Sequence, residues 1–273
     1  MRRILATAAT EFRISLRNRW VTVAVAMMAV FALVLSAAGS APTGALGADR
    51  LSVTVASLTS LAVYLVPLVA LLMSFDGVAG EVERGTLPLL LTYPVTRPEI
   101  LIGKLLAHVA VLTLAVGAGY AIAAVAAVTV DARAAQGLPA LWRLMWSSLL
   151  LGAVFLCLGY ALSALSRRPA GAAGLAIGLW LGMIVLYDLG LLAAVVADGG
   201  GWFTTDLFPW LLLANPADAF RLFNLAASEA TAAAAGIAGA ANAIPAHHAL
   251  ISILLWPLLA LAAAVVAFRK VTP

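Results

Sequence analysis

Residues that can bind a soft metal ion occur as two adjacent pairs, Met27-Met28 and His247-His248. Thioether and imidazole groups suit copper(I), so the pairs suggest a metal path through the protein. Neighbouring residues on a helix point about 100° apart, however, so neither pair can chelate an ion by itself. We therefore predict no metal site and retain these four residues only as candidate ligands.

The sequence contains no nucleotide-hydrolysing or metalloprotease motif. Its one Gly-Lys pair, Gly103-Lys104, is followed by Leu105 and lacks the upstream glycine of a phosphate-binding loop. A His-Glu-x-x-His run is also missing. We expect no catalytic site and no cofactor bound by this chain, so ATP and Mg²⁺ would have to act in a partner subunit.

Asp188 is the one carboxylate within an apolar stretch long enough to cross a membrane. A charge inside a membrane is costly and raises a functional question, so Asp188 is a possible gate residue. Alternatively, it lies near the outer interface and pairs with solvent or with Arg221.

The composition assigns the chain to membrane proteins. Of its 273 residues 64% are hydrophobic and 10% are charged, whereas a soluble domain carries about a quarter charged residues. Lipid cannot satisfy a bare backbone and the apolar runs lack strand alternation, so we predict an all-α polytopic protein. Basic residues in such a protein report topology, and we predict no nucleic-acid partner.

Six stretches are long enough to cross about 30 Å of hydrocarbon. They lie near Trp20–Ala38, Thr54–Phe75, Leu101–Val130, Leu141–Leu165, Gly171–Val196 and Ala249–Phe268. Most of the 16 Lys and Arg residues lie on one side of these spans, and only Arg50, Arg133, Arg143 and Arg221 lie on the other. This bias predicts that both termini lie on the cytoplasmic side. We further predict one transmembrane domain over residues 1–273, located in a bacterial inner membrane.

Residues 1–19 can form an amphipathic helix that lies in the headgroup plane. One stripe of that helix would hold Leu5, Ala8, Ala9, Phe12 and Leu16. A simple positively charged anchor would explain the arginines of this segment equally well.

Residues 76–100 (segment 76–100 below) join the second and third spans and carry unusual charge and proline. Gly85 permits a sharp bend, Thr86 can cap a short helix, and Pro94 would end it. The next helix starts with a capping box formed by Thr96 and Glu99. We predict a short rod fixed at both ends.

The rod carries Leu87, Leu90 and Leu91, which we expect to be exposed and covered by a partner protein. Charged residues would surround this contact and set its register. The full set predicted to contact the partner is Glu81, Glu83, Arg84, Gly85, Thr86, Leu87, Leu90, Leu91, Pro94 and Arg97. The alternative is an ordinary, well-capped loop.

The run from Phe75 to Lys104 resembles the intracellular signature of ABC-2-type transporter permeases. It has the acidic turn, Arg84-Gly-Thr86, a leucine run, Pro94-x-x-Arg97 and the closing Gly103-Lys104. The resemblance implies that segment 76–100 is a coupling helix seated in a cytoplasmic ATPase subunit, present in two copies. More narrowly, the run is similar to permeases of nitrous oxide reductase maturation. That implies a role in copper-sulfur cluster assembly, with a periplasmic β-helical protein and a copper chaperone as partners.

Gly174, Gly178 and Gly182 form a stripe of small residues in the fifth predicted span. Such stripes let helix backbones approach closely. Because six spans are half of a usual ABC transmembrane domain, we predict a homodimer with this stripe at its interface. Packing within one chain would use the same stripe.

Residues 197–248 form a long outer segment, which is unusual unless it is functional. Asn215-Pro-Ala-Asp218 is typical of a helix start, and the following helix is expected to expose Phe220, Leu222, Phe223 and Leu225. This segment would be a membrane-lying gate or a dock for an outer partner.

Three alternatives to the maturation role remain from the sequence. The first is an ABC-2 exporter of lipid, drug or polysaccharide. The second is an ATP-independent secondary transporter, although one off-centre aspartate and no internal repeat argue against it. The third is an intramembrane enzyme, which would need clustered polar groups where only scattered ones are seen.

Overall fold

The computed structural model describes residues 2–16, 26–27, 30, 34, 50–225 and 245–272, and within these ranges it is helical and has no strand. The helices are α1 (Arg2–Leu16), α2 (Arg50–Ser74), α3 (Ala79–Glu83), α4 (Thr86–Thr92), α5 (Arg97–Val130), α6 (Leu138–Leu165), α7 (Pro169–Trp180), α8 (Tyr187–Asp198), α9 (Phe208–Ala214), α10 (Pro216–Leu225) and α11 (Ala246–Arg269). A 3₁₀ turn, Ala132–Gly137, joins α5 to α6, and π-helical turns occupy Leu181–Leu186 and Phe203–Leu207.

Five helical segments are long and apolar enough to cross a membrane. They are Thr54–Glu83, Arg97–Val130, Ala132–Leu165, Pro169–Asp198 and His247–Arg269. These segments confirm five of the six predicted spans. The span predicted near Trp20–Ala38 falls outside the described residues apart from isolated positions, so the sixth span stays a prediction.

The core is built around α6, which packs against α2, α5 and α11. Phe155 and Tyr160 of α6 are among the largest fully buried side chains. Large apolar residues on α5, α7 and α11, such as Leu114, Ile177 and Leu258, are exposed. A membrane protein exposes such residues to lipid or to another subunit, because lipid solvates them.

Helix α10 is buried in the bundle, where it packs against α2, α6 and α11. Phe220, Leu222 and Leu225 are at most 9% exposed. The expectation that this helix exposes its apolar face is therefore wrong. Asn215 does begin the helix as predicted, since its side-chain oxygen accepts a hydrogen bond of 2.9 Å from the Ala217 amide.

Helix α1 packs against α5 rather than standing apart from the bundle. A Cβ added at Gly103 of α5 would lie 2.7 Å from Thr7 Cβ and 3.1 Å from the Ile4 carbonyl oxygen. Leu5 and Leu16, which belong to the predicted apolar stripe, are 58% and 49% exposed. The predicted stripe is thus only partly turned toward the protein, since Ala8 and Phe12 are partly buried and Leu5, Ala9 and Leu16 are exposed.

One end of the bundle gathers α1, segment 76–100, the start of α5 and the ends of α6 and α11. This gathering places the two chain ends that the structure describes at the same end of the bundle, and their cytoplasmic orientation stays a prediction. We call it the coupling end. Helix α10 lies toward the opposite end.

Candidate functional site

Segment 76–100 is anchored to the end of α6 by a serine and a tyrosine. The Ser163 hydroxyl oxygen accepts hydrogen bonds from the Val78 and Ala79 amides, at 3.0 and 2.9 Å. It therefore satisfies two free amides at the start of α3, a capping role supplied by another helix. Tyr160 lies against the preceding turn, where a Cβ at Gly77 would come within 2.7 Å of its ring. Tyr160 in turn hydrogen-bonds His108.

Gly85 makes the turn that separates α3 from α4. Its φ of 66° lies in the left-handed region that favours glycine, which confirms the predicted bend. Thr86 does not cap α4, because Gly85 occupies the cap position and the Thr86 hydroxyl donates to the Glu81 carbonyl at 3.3 Å. Helix α4 ends at Thr92, two residues before Pro94, as predicted.

The exposed face of α4 differs from the predicted one. Leu87 is fully buried, and Leu90 and Leu91 are partly buried against the core. The residues that project from the coupling end are instead Leu89, 64% exposed, and Tyr93, 66% exposed. The expectation of three exposed leucines is wrong for Leu87, which packs onto the bundle, whereas Leu90 and Leu91 keep only part of their surface exposed.

The charged residues of segment 76–100 fall into two groups. Glu83 and Arg84 are exposed, and Arg84 pairs with Asp76 at 3.2 Å. Glu81 is 8% exposed, and its Oε1 lies 2.7 Å from Lys104 Nζ. Glu81 is therefore not at the rim of a surface contact, which corrects that expectation, whereas Glu83 and Arg84 are available to one.

The entry to α5 has the predicted capping box, since the Glu99 carboxylate accepts a hydrogen bond of 2.8 Å from the Thr96 amide. Arg97 has a role that the sequence did not indicate. Its guanidinium donates to the carbonyl oxygens of Phe268, Arg269 and Val271 at 2.6–3.0 Å. A cation here satisfies the free carbonyls at the end of α11 and its dipole, so Arg97 joins two spans.

The glycine stripe lies on an exposed face. Apart from the adjacent residues and the backbone of the helix itself, no described atom comes within 4 Å of a Cβ added at Gly174, Gly178 or Gly182. The alternative that the stripe packs within one chain is thus not supported by the neighbouring helices that the structure describes.

Asp188 pairs with Arg221, as one of the two sequence interpretations holds. Arg221 Nη2 lies 2.9 Å from Asp188 Oδ2, and Arg221 Nη1 lies 3.1 Å from Asp218 Oδ1. Asp218 is 2% exposed, and no described group makes a well-formed hydrogen bond to its carboxylate. Burial raises the pKa of Asp218 to about 7; Asp188 adds to the rise and Arg221 opposes it. Helices α8 and α10 are therefore joined by one cation between two carboxylates.

The candidate metal ligands that the structure describes are not part of a larger group of donors. The rings of His247 and His248 lie 4.2 Å apart, and Trp210 lies beside His248. Met27 is partly buried against the core, and Met28 lies outside the described residues. No three His, Cys, Asp or Glu side chains gather into a metal-binding group in the ranges that the structure describes.

Several residues at the coupling end were not identified from the sequence. These are Glu11, Leu89, Tyr93 and Ser163, together with Lys104 as an ion-pair partner. Ser163 and Glu11 lie far along the chain from the groups they bind, so no local pattern marks them. Leu89 and Tyr93 could have been recognised as candidates, since both are apolar or aromatic residues within the predicted rod.

The chain is a helical membrane protein in which segment 76–100 connects the second and third predicted spans and a capping box begins α5. A family model described as ABC-2 family transporter protein matches residues 5–272, and the chain belongs to this family. It is 44% identical to the Probable ABC transporter permease protein NosY of Pseudomonas aeruginosa, over 96% of each chain. It is 41% identical to the protein of the same name from Stutzerimonas stutzeri, over 99% of each chain.

The chain is therefore a multi-pass permease subunit of an ABC transporter, a membrane component rather than a catalytic enzyme. A permease of this class implies an ATPase partner. Membership of this family does not support the interpretation as an ATP-independent secondary transporter.

Proposed function

We propose that this permease receives the stroke of a cytoplasmic ATPase through α4 and passes it to the spans. The observation that carries the proposal is the exposed face of α4. Leu89 and Tyr93 project from the coupling end while Leu87 holds the helix to the core. Exposed apolar side chains on a firmly held helix suit insertion into a partner's groove.

Each end of segment 76–100 is tied to a different span, which supports transmission rather than simple docking. Ser163 links the start of α3 to α6, and the capping box makes α5 continue directly from the segment. Arg97 extends the connection to the end of α11. A displacement of α4 would therefore move three spans together, because packed helices shift as rigid units.

The experiment is recovery of the ATPase with tagged permease. Leu89→Asp/Tyr93→Asp should lose most of the ATPase, because both changes bury charge in an apolar contact. Val130→Asp is the matched control, since Val130 is 66% exposed at the other end of α5. Equal recovery of the ATPase with the wild type, Leu89→Asp/Tyr93→Asp and Val130→Asp would refute the proposal.

We further propose that the permease acts as a homodimer with two ATPase subunits, and that Gly174, Gly178 and Gly182 lie at or beside the two-fold axis. The open glycine face and its exposed neighbours Leu175 and Ile177 support a close helix contact. With Cys157 replaced by alanine, Gly178→Cys should cross-link two protomers, whereas Leu258→Cys on α11 should not. Failure of every stripe position to cross-link would refute the dimer arrangement.

The role we propose for the complex is maturation of the copper-sulfur cluster of nitrous oxide reductase. It rests on the narrower resemblance and on the shared NosY name of the two relatives. In a strain lacking the native permease, this chain should restore the cluster's visible absorption, and Leu89→Asp/Tyr93→Asp should not. Restoration by neither protein, with both present in the membrane, would contradict the role.

A periplasmic β-helical protein, with a copper chaperone as its supplier, would then dock at the end opposite α4. Trp202 and Trp210 are 67% and 62% exposed there, and His247 is exposed as well. Aromatic side chains of this kind are enriched both at membrane interfaces and in protein contacts. Co-purification of such a protein should therefore weaken with Trp202→Ser/Trp210→Ser, and unchanged recovery would place its dock elsewhere.

A further inference from the structure

Three separate elements meet at Lys104 of α5. Its side chain is 5% exposed although it carries a charge. Lys104 Nζ lies 2.7 Å from Glu81 Oε1 of α3 and hydrogen-bonds Glu11 Oε1 of α1. One buried cation thus joins the first helix, the coupling segment and the third predicted span.

Helices α1 and α5 pack closely beside this ion cluster. Gly103 precedes Lys104, and a Cβ there would lie 2.7 Å from Thr7 Cβ and 3.1 Å from the Ile4 carbonyl oxygen. Glycine therefore allows the backbones of α1 and α5 to approach closely. The close approach brings Glu11, one turn further along α1, to the Lys104 ammonium group.

The charges of the cluster depend on one another. Glu81 and Glu11 are both largely buried, and no described group donates a hydrogen bond to Glu81 Oε2. Without Lys104, two carboxylates would face each other in a region that excludes water, which is strongly unfavourable. The cluster holds only while all three elements keep their relative positions.

We propose that Lys104 is a positioning residue that locks α1 to segment 76–100, so that movement of α4 carries α1 with it. The locking of α1 stands on the contacts above. The transmitted movement rests on the proposed function, in which α4 receives the ATPase stroke. In this arrangement Glu81 stabilises contacts within the permease and does not contact the ATPase.

Hydrogen exchange of the amides of residues 2–16 tests the lock on purified permease. Opening of a docked helix exposes its amides, so Lys104→Met and Glu11→Ala should each accelerate this exchange at least about tenfold. Glu11→Ala keeps the Lys104–Glu81 pair and so spares the fold of segment 76–100. Lys270→Met, a change of an exposed lysine at the same end, is the control. Wild-type exchange of α1 in both lock variants would overturn the proposal.

The transmitted movement is tested in the complex with the ATPase. Exchange of α1 should differ between the ATP-bound and ADP-bound complex, and Glu11→Ala should abolish that difference while ATPase recovery stays normal. An identical response of α1 in wild type and Glu11→Ala would overturn transmission through Lys104. A different result would contradict the proposed function itself, namely normal recovery of the ATPase with Leu89→Asp/Tyr93→Asp.

Discussion

Arg221 Nη2 lies 2.9 Å from Asp188 Oδ2 and joins α10 to α8. The same guanidinium reaches Asp218, three residues earlier on α10. Asp188, which the sequence marks as unusual, is thus one member of a three-residue group that contains two carboxyl groups and one guanidinium. Such a group holds α10 in the bundle at the end opposite α4.

Replacing Arg221 by methionine should destabilise the protein by about 2–3 kcal/mol. The change leaves two partly or fully buried carboxylates without their cation, which costs more than the pair itself contributes. Denaturation of the detergent-solubilised protein, followed by tryptophan fluorescence, measures the loss. Arg133→Met, at an exposed position, is the control. Equal stability of the two variants would show that the group is not held by Arg221.

The stability of the protein should fall between pH 5 and pH 8 because of Asp218. Its folded-state pKa of about 7 lies above the ordinary value of 3.8, so the folded protein binds the proton more tightly. The resulting stabilisation is complete below the ordinary value and is lost as the pH rises through about 7. The loss is on the order of 2–3 kcal/mol.

Asp218→Asn should reduce this pH dependence, because asparagine does not titrate. Unfolding measured at pH 5 and pH 8 would show a smaller difference for the variant than for wild type. Asp206→Asn, at an exposed position, should keep the wild-type difference. A full pH dependence in Asp218→Asn would assign it to another group.

Ser163→Ala should loosen segment 76–100 and cost about 2 kcal/mol. The hydroxyl oxygen accepts from two buried amides, and its loss leaves both without a partner. Ser60→Ala is the matched control, since the Ser60 hydroxyl bonds only to a carbonyl of its own helix. Denaturation should separate the two variants, and a Ser163→Ala protein as stable as Ser60→Ala would contradict the anchoring role.

Arg97→Met should fray the end of α11. Three carbonyl oxygens lose their donor, and the helix loses a cation at its C-terminus. Amide exchange of the last turn of α11 should accelerate in Arg97→Met but not in Arg168→Met, which changes another arginine at the coupling end. Unchanged exchange in Arg97→Met would show that the end of α11 is held by other contacts.

The helical architecture could be predicted from the sequence, because membrane spans and caps are local patterns. The five described spans are recognisable as long apolar stretches, and the capping box of Thr96 and Glu99 indicates the start of α5. Gly85 likewise marks its turn, since few other residues adopt its φ.

The faces of the short helices could not be predicted in the same way. Hydrophobicity alone does not tell whether an apolar face meets the protein, a partner or lipid, so the exposed faces of α4 and α10 were assigned incorrectly. Contacts between residues that are distant in the sequence could not be predicted either. Glu11 meets Lys104, and Ser163 meets Val78, only because α1, α3, α5 and α6 converge at one end.

The most direct test of the account places a photo-crosslinking amino acid at Leu89 or Tyr93 in the intact complex. Both positions should cross-link to the nucleotide-hydrolysing subunit, and the same group at Val130, at the far end of α5, should not. Cross-links from Leu89 and Tyr93 to lipid alone, with the ATPase present and active, would contradict the claim that α4 receives its stroke.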